Sequence, residues 1–326
     1  MKSHYPYLLC ATLSLAPCVS RSAVIAGVTV TNGETPFSAG FPLANAANGD
    51  SADYASQGKG ADTFMEFAFG STQNIDRIIV VSRDSAAPAD WIGNFTLTFN
   101  GGATTSITRT GARGVSPVHS LGGVFSASSV RLDVDATGSA TAGGNTGAME
   151  VIFMSPIVGK SQISGISILG SATPFNADYV PTNVIDGLVG RSNGAGLKPE
   201  YASQGLGLGT FVDFDLGAIR AVSAFDFFDR PAAADRVTGF DMIFSQNSTF
   251  GDGDDILRSF TNSGMAMSAA FTDINARFVR YDVTASSGGG VNNGLGEMLF
   301  YQTIPEPSAA LCGLMALGSL VVRRRR

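Results

Sequence analysis

Tyr54-Ala55-Ser56-Gln57-Gly58 recurs without change as Tyr201-Ala202-Ser203-Gln204-Gly205. Each copy is followed, at the same distance, by a segment in which apolar and polar residues alternate: residues 63–70 (TFMEFAFG) and residues 210–217 (TFVDFDLG). Alternation with a period of two is typical of a β-strand with one buried face. The repeat therefore indicates two copies of one β-rich unit within the 326 residues.

Further matches follow in the same order in both copies. The matched groups are Thr35-Pro36-Phe37 with Thr173-Pro174-Phe175, Asn45 and Gly49 with Asn183 and Gly187, Asp90 and Phe95 with Asp235 and Phe240, residues 130–134 with 279–283, and residues 150–153 with 297–300. Because chance does not preserve such an order, we predict two related domains, at residues 23–157 and 158–302. The length agrees with this number, since a domain usually contains about 100–200 residues.

Both domains are predicted to be all-β. Three segments in each copy alternate apolar with mostly polar positions. In the first copy the apolar positions are Met65, Phe67 and Phe69; Phe95, Leu97 and Phe99; and Val130, Leu132 and Val134. In the second copy they are Val212, Phe214 and Leu216; Phe240, Met242 and Phe244; and Val279, Tyr281 and Val283. Glycine- and serine-rich breaks separate these runs, and no long segment has a helical period. Such a pattern is typical of β-sandwiches and jelly rolls.

The N-terminus has the features of a secretion signal. Lys2 precedes an apolar stretch at residues 5–19, and Ser20 and Ser22 place small residues before a cleavage point. A membrane anchor is the alternative, but the stretch is shorter than the ~20 residues needed to cross a bilayer. We therefore expect residues 1–22 to be a signal peptide that is handled by the general secretion machinery.

The C-terminus carries three features in a fixed order. Pro305-Glu306-Pro307 precedes an apolar run at residues 308–322, and four arginines end the chain at residues 323–326. This order resembles the PEP-CTERM sorting signal of Gram-negative bacteria. The resemblance implies that residues 303–326 form a tail with a short apolar transmembrane helix, transiently held in the inner membrane until an exosortase cuts the chain. An ordinary C-terminal anchor is the alternative.

Cysteine content and charge narrow the possible partners. Cys10, Cys18 and Cys312 all lie in the two terminal segments, so the predicted domains contain no disulfide. Loss of both ends would remove six basic residues and one acidic residue, which changes the formal net charge from −6 to −11. A negative charge argues against nucleic acid and anionic membranes as partners. It is compatible with calcium or with neutral sugars.

The second copy resembles discoidin, or coagulation factor V/VIII type C, domains, which have a galactose-binding-like fold. The motifs that carry the resemblance are Asn183-Val184-Ile185-Asp186-Gly187, residues 212–217 (VDFDLG), Asp235-Arg236-Val237 followed by Phe240 and Ser245, and residues 294–301 (GLGEMLFY). The resemblance covers most of residues 166–301. It implies an eight-stranded jelly roll, and hence two tandem jelly-roll β-sandwiches in the whole chain. It also implies non-catalytic carbohydrate binding or cell adhesion.

The same resemblance implies a structural calcium ion in the second domain. Bacterial relatives hold calcium through the loop at the Asp-Gly pair and through a glutamate near the end, which correspond to Asp186 and Glu297. Carboxylate oxygens are suitable ligands for calcium. The alternative is a turn-forming aspartate and a glutamate that accepts loop amides. The first copy has Asn48 at the position of Asp186, so a calcium site there is doubtful and this copy is the more degenerate.

Sugar sites in such modules lie on loops at one end of the barrel. In the second copy the suspected loops follow Asp229 or lie within residues 245–255 and 286–294, and they offer the candidate ligands Arg230, Asn247, Phe250, Asn292 and Asn293. An arginine fork can bind neighbouring hydroxyls. For any single residue, an ordinary solvated loop is the better interpretation. Trp91, the single tryptophan, is expected to pack at the core or rim, with an exposed sugar platform as the alternative.

An enzymatic function is not expected. Outside the predicted signal, His119 is the single histidine, so no Ser-His-Asp, Cys-His or zinc-ligand set can be assembled. Asp213 and Asp215 fall on the polar face of a strand and are expected to be solvated. We therefore expect an exported polysaccharide-binding or adhesion protein of the cell surface, extracellular matrix or biofilm. A structural matrix spacer without a ligand is the alternative, and a carboxylate-dependent polysaccharide-degrading enzyme is the third hypothesis.

Overall fold

The computed structural model describes residues 24–50, 52–108, 113–139, 143–191, 199–287, 289 and 291–304. The predicted signal peptide, the Pro305-Glu306-Pro307 motif and the expected C-terminal apolar helix lie outside these residues. Within the described ranges, the structure contains no helix with the length and apolar character that a membrane crossing requires.

The first sandwich is built from antiparallel strands of very unequal length. Its strands are β1 (Thr29–Gly33), β2 (Phe64–Ser82), β3 (Phe95–Phe99), β4 (Ala103–Ile107), β5 (Val115–Pro117), β6 (His119–Val134) and β7 (Ala148–Met154). Six of them form a sheet in the order β1-β2-β6-β3-β4, with β7 added to β2. The first part of β2 pairs with β1 and its last part pairs with β7, with a register shift against β6 between Ala68 and Gln73. One long strand thereby serves both layers of the sandwich.

The second sandwich repeats this plan. Its strands are β8 (Lys160–Gln162), β9 (Ser167–Ser171), β10 (Leu188–Gly190), β11 (Tyr201–Ala202), β12 (Phe211–Phe228), β13 (Val237–Ser245), β14 (Ile256–Thr261), β15 (Ala266–Ser286), β16 (Gly294–Leu295) and β17 (Glu297–Thr303). The main sheet has the order β14-β13-β15-β12-β17-β8, with β9 added to β12. The strand β12 corresponds to β2, and it also changes register against its partners.

Helical structure among the described residues is limited to short 3-10 turns. These are Leu43–Ala47, Gly60–Asp62, Pro88–Asp90, Pro181–Ile185, Gly207–Gly209 and Ala233–Asp235. The prediction of an all-β chain with two tandem jelly-roll sandwiches is confirmed. The reason is the period-two pattern: Phe240, Met242 and Phe244 are all buried in the second core, while Asp241 and Ile243 between them point away.

A third apolar cluster lies between the two sandwiches. It consists of Ile79, Val81, Met149, Ile152, Met154, Val189, Ala224, Phe228, Leu299 and Tyr301, all buried. We call this contact the interface. A short strand pair crosses it, because β10 of the second copy pairs with β5 of the first. Arg77 also crosses it and forms an ion pair with the fully buried Asp226 at 3.2 Å.

Candidate functional site

A pocket with two carboxylates lies at one end of the second sandwich. Its volume is about 250 Å³, and Asp186 and Glu297 both line it. The side chain of Glu297 is only 1% exposed, and its Oε2 accepts a hydrogen bond from the Gly187 N–H at 3.1 Å. Asp186 Oδ1 accepts the Leu188 N–H at 2.9 Å. Two loops that are distant in sequence thus meet through backbone amides and carboxylate oxygens.

Both carboxyl groups in this pocket have a raised pKa. Burial, and then the charge of nearby Asp186, raise the pKa of Glu297 to about 9. Partial burial also raises the pKa of Asp186 to about 6, although the Leu188 amide acts in the opposite direction. A cation in this pocket would favour the ionised form of both groups. The oxygen donors therefore fit a hard divalent ion such as calcium.

The first sandwich has a related pocket around Glu150. Glu150 is 5% exposed and its Oε2 accepts the Gly49 N–H at 2.9 Å, as Glu297 does with Gly187. Burial raises the pKa of Glu150 to about 8. Asn48 takes the place of Asp186, and the second sandwich lines part of this cavity of about 300 Å³ with residues 263–266. With one carboxylate fewer at the matched position, this pocket is the poorer cation site.

Arg230, a candidate sugar ligand, is held inside the second sandwich. It is 6% exposed; its Nε donates to Glu200 at 2.8 Å, and its Nη1 donates to Asp235 at 3.3 Å and to the Asn292 carbonyl oxygen. Its guanidinium lies over the Tyr179 ring, 5.6 Å from the centroid. The guanidinium therefore connects the loops of Glu200, Asp235 and Asn292, and its donors are not available to a ligand in solvent.

The first sandwich contains the same arrangement around Arg83. Its Nη1 donates to Asp90 at 3.1 Å and to the Asn145 carbonyl oxygen at 2.6 Å, and the guanidinium lies 5.0 Å from the centroid of Phe41. Asp53 is within 3.5 Å of its Nε. Because both copies keep the arrangement, we interpret the arginine as the element that fixes the loop end of each sandwich.

Each arginine supports an exposed aromatic ring. Phe175 is 44% exposed and packs edge-to-face on Tyr179, with 5.6 Å between ring centroids. Phe37 in the first sandwich is 48% exposed and packs on Phe41 at 6.0 Å in the same manner. Neither ring is among the residues that the sequence indicates as sugar ligands. The signal was present in the repeated Thr-Pro-Phe, but a repeat does not show whether its aromatic residue is exposed.

One family model, described as Domain of unknown function (DUF7402), matches residues 19–153 and again residues 166–301. The chain belongs to the DUF7402 family. Comparison with curated proteins gave no match. This assignment rests on the double match, which covers most of the chain and agrees with the internal repeat.

Solved structures similar to this DUF7402 chain include three sugar-related or discoidin-type proteins. A fucolectin from striped bass serum is 13% identical and covers 87% of this chain and 97% of its own, with a TM-score of 0.34. An F5/8 type C domain from Bacteroides fragilis is 14% identical, with 45% and 98% covered and a TM-score of 0.35. A family 32 CBM from Clostridium perfringens NanJ, solved with galactose, is 15% identical, with 44% and 99% covered and a TM-score of 0.33.

The structure divides the five candidate sugar ligands of this DUF7402 chain between two places. Arg230, Asn292 and Asn293 lie together, where Asn292 Oδ1 accepts the Gly205 N–H at 3.0 Å and Asn293 is fully buried. Asn247 and Phe250 lie beyond the other end of β13. There Asn247 Nδ2 donates to Asp252 at 2.9 Å, and Phe250 lies over Arg280 at 4.6 Å. A single site formed by all five residues is therefore not present in this arrangement.

The polar face of β12 differs from expectation. Asp213 is buried and accepts two hydrogen bonds from Arg280, at 2.6 and 2.8 Å, while Asp215 accepts two from Arg277 at 3.0 Å. The expectation that Asp213 is solvated was wrong, because Arg280 on the neighbouring strand pairs with its carboxylate and Gly170 of β9 lies beside it. Asp252, Asp254 and Asp255 form a separate acidic turn with oxygens within 4.8 Å of one another, and the first two are exposed.

The single tryptophan packs at the rim of the first sandwich. Trp91 is half-buried, and its Nε1–H donates to the Ser85 carbonyl oxygen at 2.8 Å. Its ring lies against Gly138, where a Cβ atom would come within 2.8 Å of the ring. The expectation of rim packing agrees with these contacts, and the ring is not a free platform for sugars.

Proposed function

We propose that the protein is a non-catalytic carbohydrate-binding protein that holds polysaccharide on the aromatic platforms at the loop ends of its sandwiches. The observation that supports this proposal is the repeated exposure of Phe37 and Phe175, each on a second ring that an ion-paired arginine fixes from below. The second platform is the principal site. Two exposed amide residues are on the loops that carry it: Asn176 follows Phe175 directly, and Gln204 donates its N–H to the Thr173 carbonyl oxygen.

The chemistry of sugars explains why this arrangement is suitable. The C–H face of a pyranose packs on an aromatic ring, and the hydroxyls at its edge need hydrogen-bond partners. A ring that is already fixed by Tyr179 and Arg230 loses little conformational entropy when it binds. Affinity for one sugar unit would be low, and a long polysaccharide would be retained through both platforms.

The proposal also includes a structural divalent cation, calcium, held by Asp186 and Glu297 in the second sandwich. The ion would supply positive charge that stabilises two carboxylates in a poorly solvated pocket. Calcium should raise the thermal midpoint of the wild-type protein and should leave Glu297→Gln unchanged. An equal rise in both proteins would place the ion elsewhere, and no rise in the wild type would exclude the site.

The platform is tested by Phe175→Ala in the full chain. Because Phe175 is exposed, the fold should be retained. Retention on polysaccharide gels and binding on a glycan array should fall by up to about tenfold, since a contact with one aromatic ring is worth roughly 0.5–1.5 kcal/mol. Leu169→Ala is the control, because Leu169 on β9 is similarly exposed but takes no part in the ring contacts of Phe175, Tyr179 and Arg230. Equal binding by both variants would show that the platform is not the site.

A structural role in the matrix, without a specific ligand, is the second candidate function. The buried interface between the two sandwiches favours it, because a fixed two-domain unit is a suitable spacer. Lack of wild-type binding to every neutral and acidic polysaccharide tested would favour this candidate over the first.

We further propose that the protein is exported and sorted to the cell envelope or extracellular matrix of a Gram-negative-type bacterium. The features that support it are those of the two termini: the charged and apolar N-terminal segment, and Pro305-Glu306-Pro307 before the apolar run and arginines. Exosortase and the inner membrane would be transient partners. Intact-mass measurement of the protein recovered from cell surfaces tests this, and a chain that still carried residues 308–326 would contradict it.

A further inference from the structure

The loop that carries Asp186 is shared between the two sandwiches. Asp186 follows the 3-10 helix Pro181–Ile185 of the second sandwich, but Leu188–Gly190 immediately after it form β10. This strand pairs with β5 of the first sandwich, with Val189 opposite Ser116. Among the residues that the structure describes, β10 pairs with no strand of its own sandwich. One side of the carboxylate pocket is therefore held by the other domain.

Several contacts fasten this strand pair to the first sandwich. Ser116 Oγ accepts the N–H of Val80 in β2 at 3.1 Å, which anchors β5. Beyond β10, the Arg191 N–H donates to the Gly114 carbonyl oxygen at 2.8 Å, and the Arg191 guanidinium is 3.5 Å from Asp84. Val189, between these contacts, is fully buried in the interface. The position of β10 is thus fixed by β2 and β5 together.

The pocket is directly connected to this fixed strand. The Gly187 N–H donates to Glu297, and the Leu188 N–H donates to Asp186. Leu188 is also the first residue of β10. We propose that the first sandwich is the support that positions the carboxylate pocket of the second, because β5 holds β10 and β10 holds Asp186 and Gly187 opposite Glu297. The part of this proposal that concerns calcium binding rests on the cation site proposed above.

This support gives the degenerate first copy a role that does not require a ligand. A reciprocal contact has the same character: Gly49, which donates to Glu150, lies against Gly264 and Met265 of the second sandwich. Separation of the two sandwiches would remove residues 263–266 from the cavity around Glu150, and it would release β10, which follows Asp186 and Gly187 directly. The pocket around Asp186 and Glu297 is therefore expected to need the complete two-domain chain.

Gly190 offers a substitution that acts on the strand pair and leaves the pocket residues unchanged. Its φ is +144°, and a Cβ atom there would lie 2.0 Å from the Gly114 carbonyl oxygen. Gly190→Ala must therefore push β10 away from β5. Gly101→Ala is the matched control, since Gly101 also has a positive φ of 69° but nothing within 4 Å of its added Cβ. Any difference between the variants then comes from the strand pair.

The first measurement is hydrogen exchange in the calcium-free full chain. Exchange of the Gly187 and Leu188 amides should be about tenfold faster in Gly190→Ala, and unchanged in Gly101→Ala, because protection follows local opening. The second measurement is calcium titration below the unfolding temperature of each protein, where Gly190→Ala should bind about tenfold more weakly. The milder Arg191→Ala, with a smaller change in the same direction, replaces Gly190→Ala if that variant does not fold.

The outcomes separate this inference from the cation site. Faster exchange at Gly187 and Leu188 without any calcium binding by the wild type would support the role of the first sandwich and overturn the calcium proposal. Unchanged exchange at both amides in a folded Gly190→Ala or Arg191→Ala protein would overturn the inference, whatever the wild-type affinity for calcium. Faster exchange limited to Val189 and Arg191 would overturn it as well.

Discussion

At the residue scale, Glu150 and Glu297 occupy equivalent positions in the two copies, but their surroundings differ. Both accept a glycine N–H from the matched Gly49 or Gly187, and burial raises the pKa of both. Glu297 faces a second carboxylate, whereas Glu150 lies in a cavity that the other sandwich helps to close. Burial therefore favours the neutral form of both glutamates, and the charges of Asp186 near Glu297 and of Asp50 near Glu150 act in the same direction.

The pH dependence of stability tests this view of Glu150. Its folded-state pKa of about 8 lies above the ordinary 4.5, so the folded protein binds a proton more tightly than the unfolded chain does. Stability must then fall as pH rises from about 5 to about 8, by up to about 1.4 kcal/mol per pH unit for the one proton. Glu150→Gln keeps the Gly49 hydrogen bond and should flatten this slope in calcium-free denaturant titrations.

Leu169→Ala, which removes no titratable group from the exposed face of β9, is the control and should keep the wild-type slope. The same slope in Glu150→Gln and the wild type would mean that Glu150 does not take up a proton on folding. A steeper slope would mean that the sign of the shift is reversed.

At the element scale, the sequence predicted the parts of the strands that have one buried face. In the first part of β2, Met65 and Phe67 alternate with polar residues and are buried as expected. Its last part, Ile78-Ile79-Val80-Val81, has no alternation, because Ile78 and Val80 enter their own core while Ile79 and Val81 enter the interface. Sequence shows that such a strand is covered on both faces, but it does not show what covers the second face.

The same limit applies to the candidate site. The resemblance to discoidin-type domains implied that Asp186 and Glu297 belong together, and both line one pocket. Residue type also suggested Arg230 as a sugar ligand, but its charge is used for ion pairs inside the loop end. Burial and partner choice depend on contacts between distant segments, and a pattern along the chain does not contain them. The exposed ring of Phe175 was missed for the same reason.

At the scale of the whole molecule, the two sandwiches are joined by a buried polar network inside an apolar contact. Arg77 Nη1 donates to Asp226 at 3.2 Å and to the Tyr301 hydroxyl at 2.9 Å, and the Tyr301 O–H donates to Asp226 at 2.7 Å. The Ser268 hydroxyl donates to the other oxygen of Asp226. Because the partners come from both sandwiches, separation of the sandwiches would leave the Asp226 carboxylate without the Arg77 guanidinium.

Cooperative unfolding follows from this network. We expect the wild-type chain to unfold in a single calorimetric transition, since a large apolar interface couples the domains. Arg77→Ala should cost about 3–5 kcal/mol, because it leaves the buried Asp226 without a counter-charge, and should lower the midpoint of this transition. Arg77→Met combined with Asp226→Leu removes both charges and should recover most of the loss. An unchanged midpoint in Arg77→Ala would contradict the contribution of the ion pair, and two separate transitions in the wild type would contradict the coupling, and with it the view that the first sandwich is a fixed support for the second.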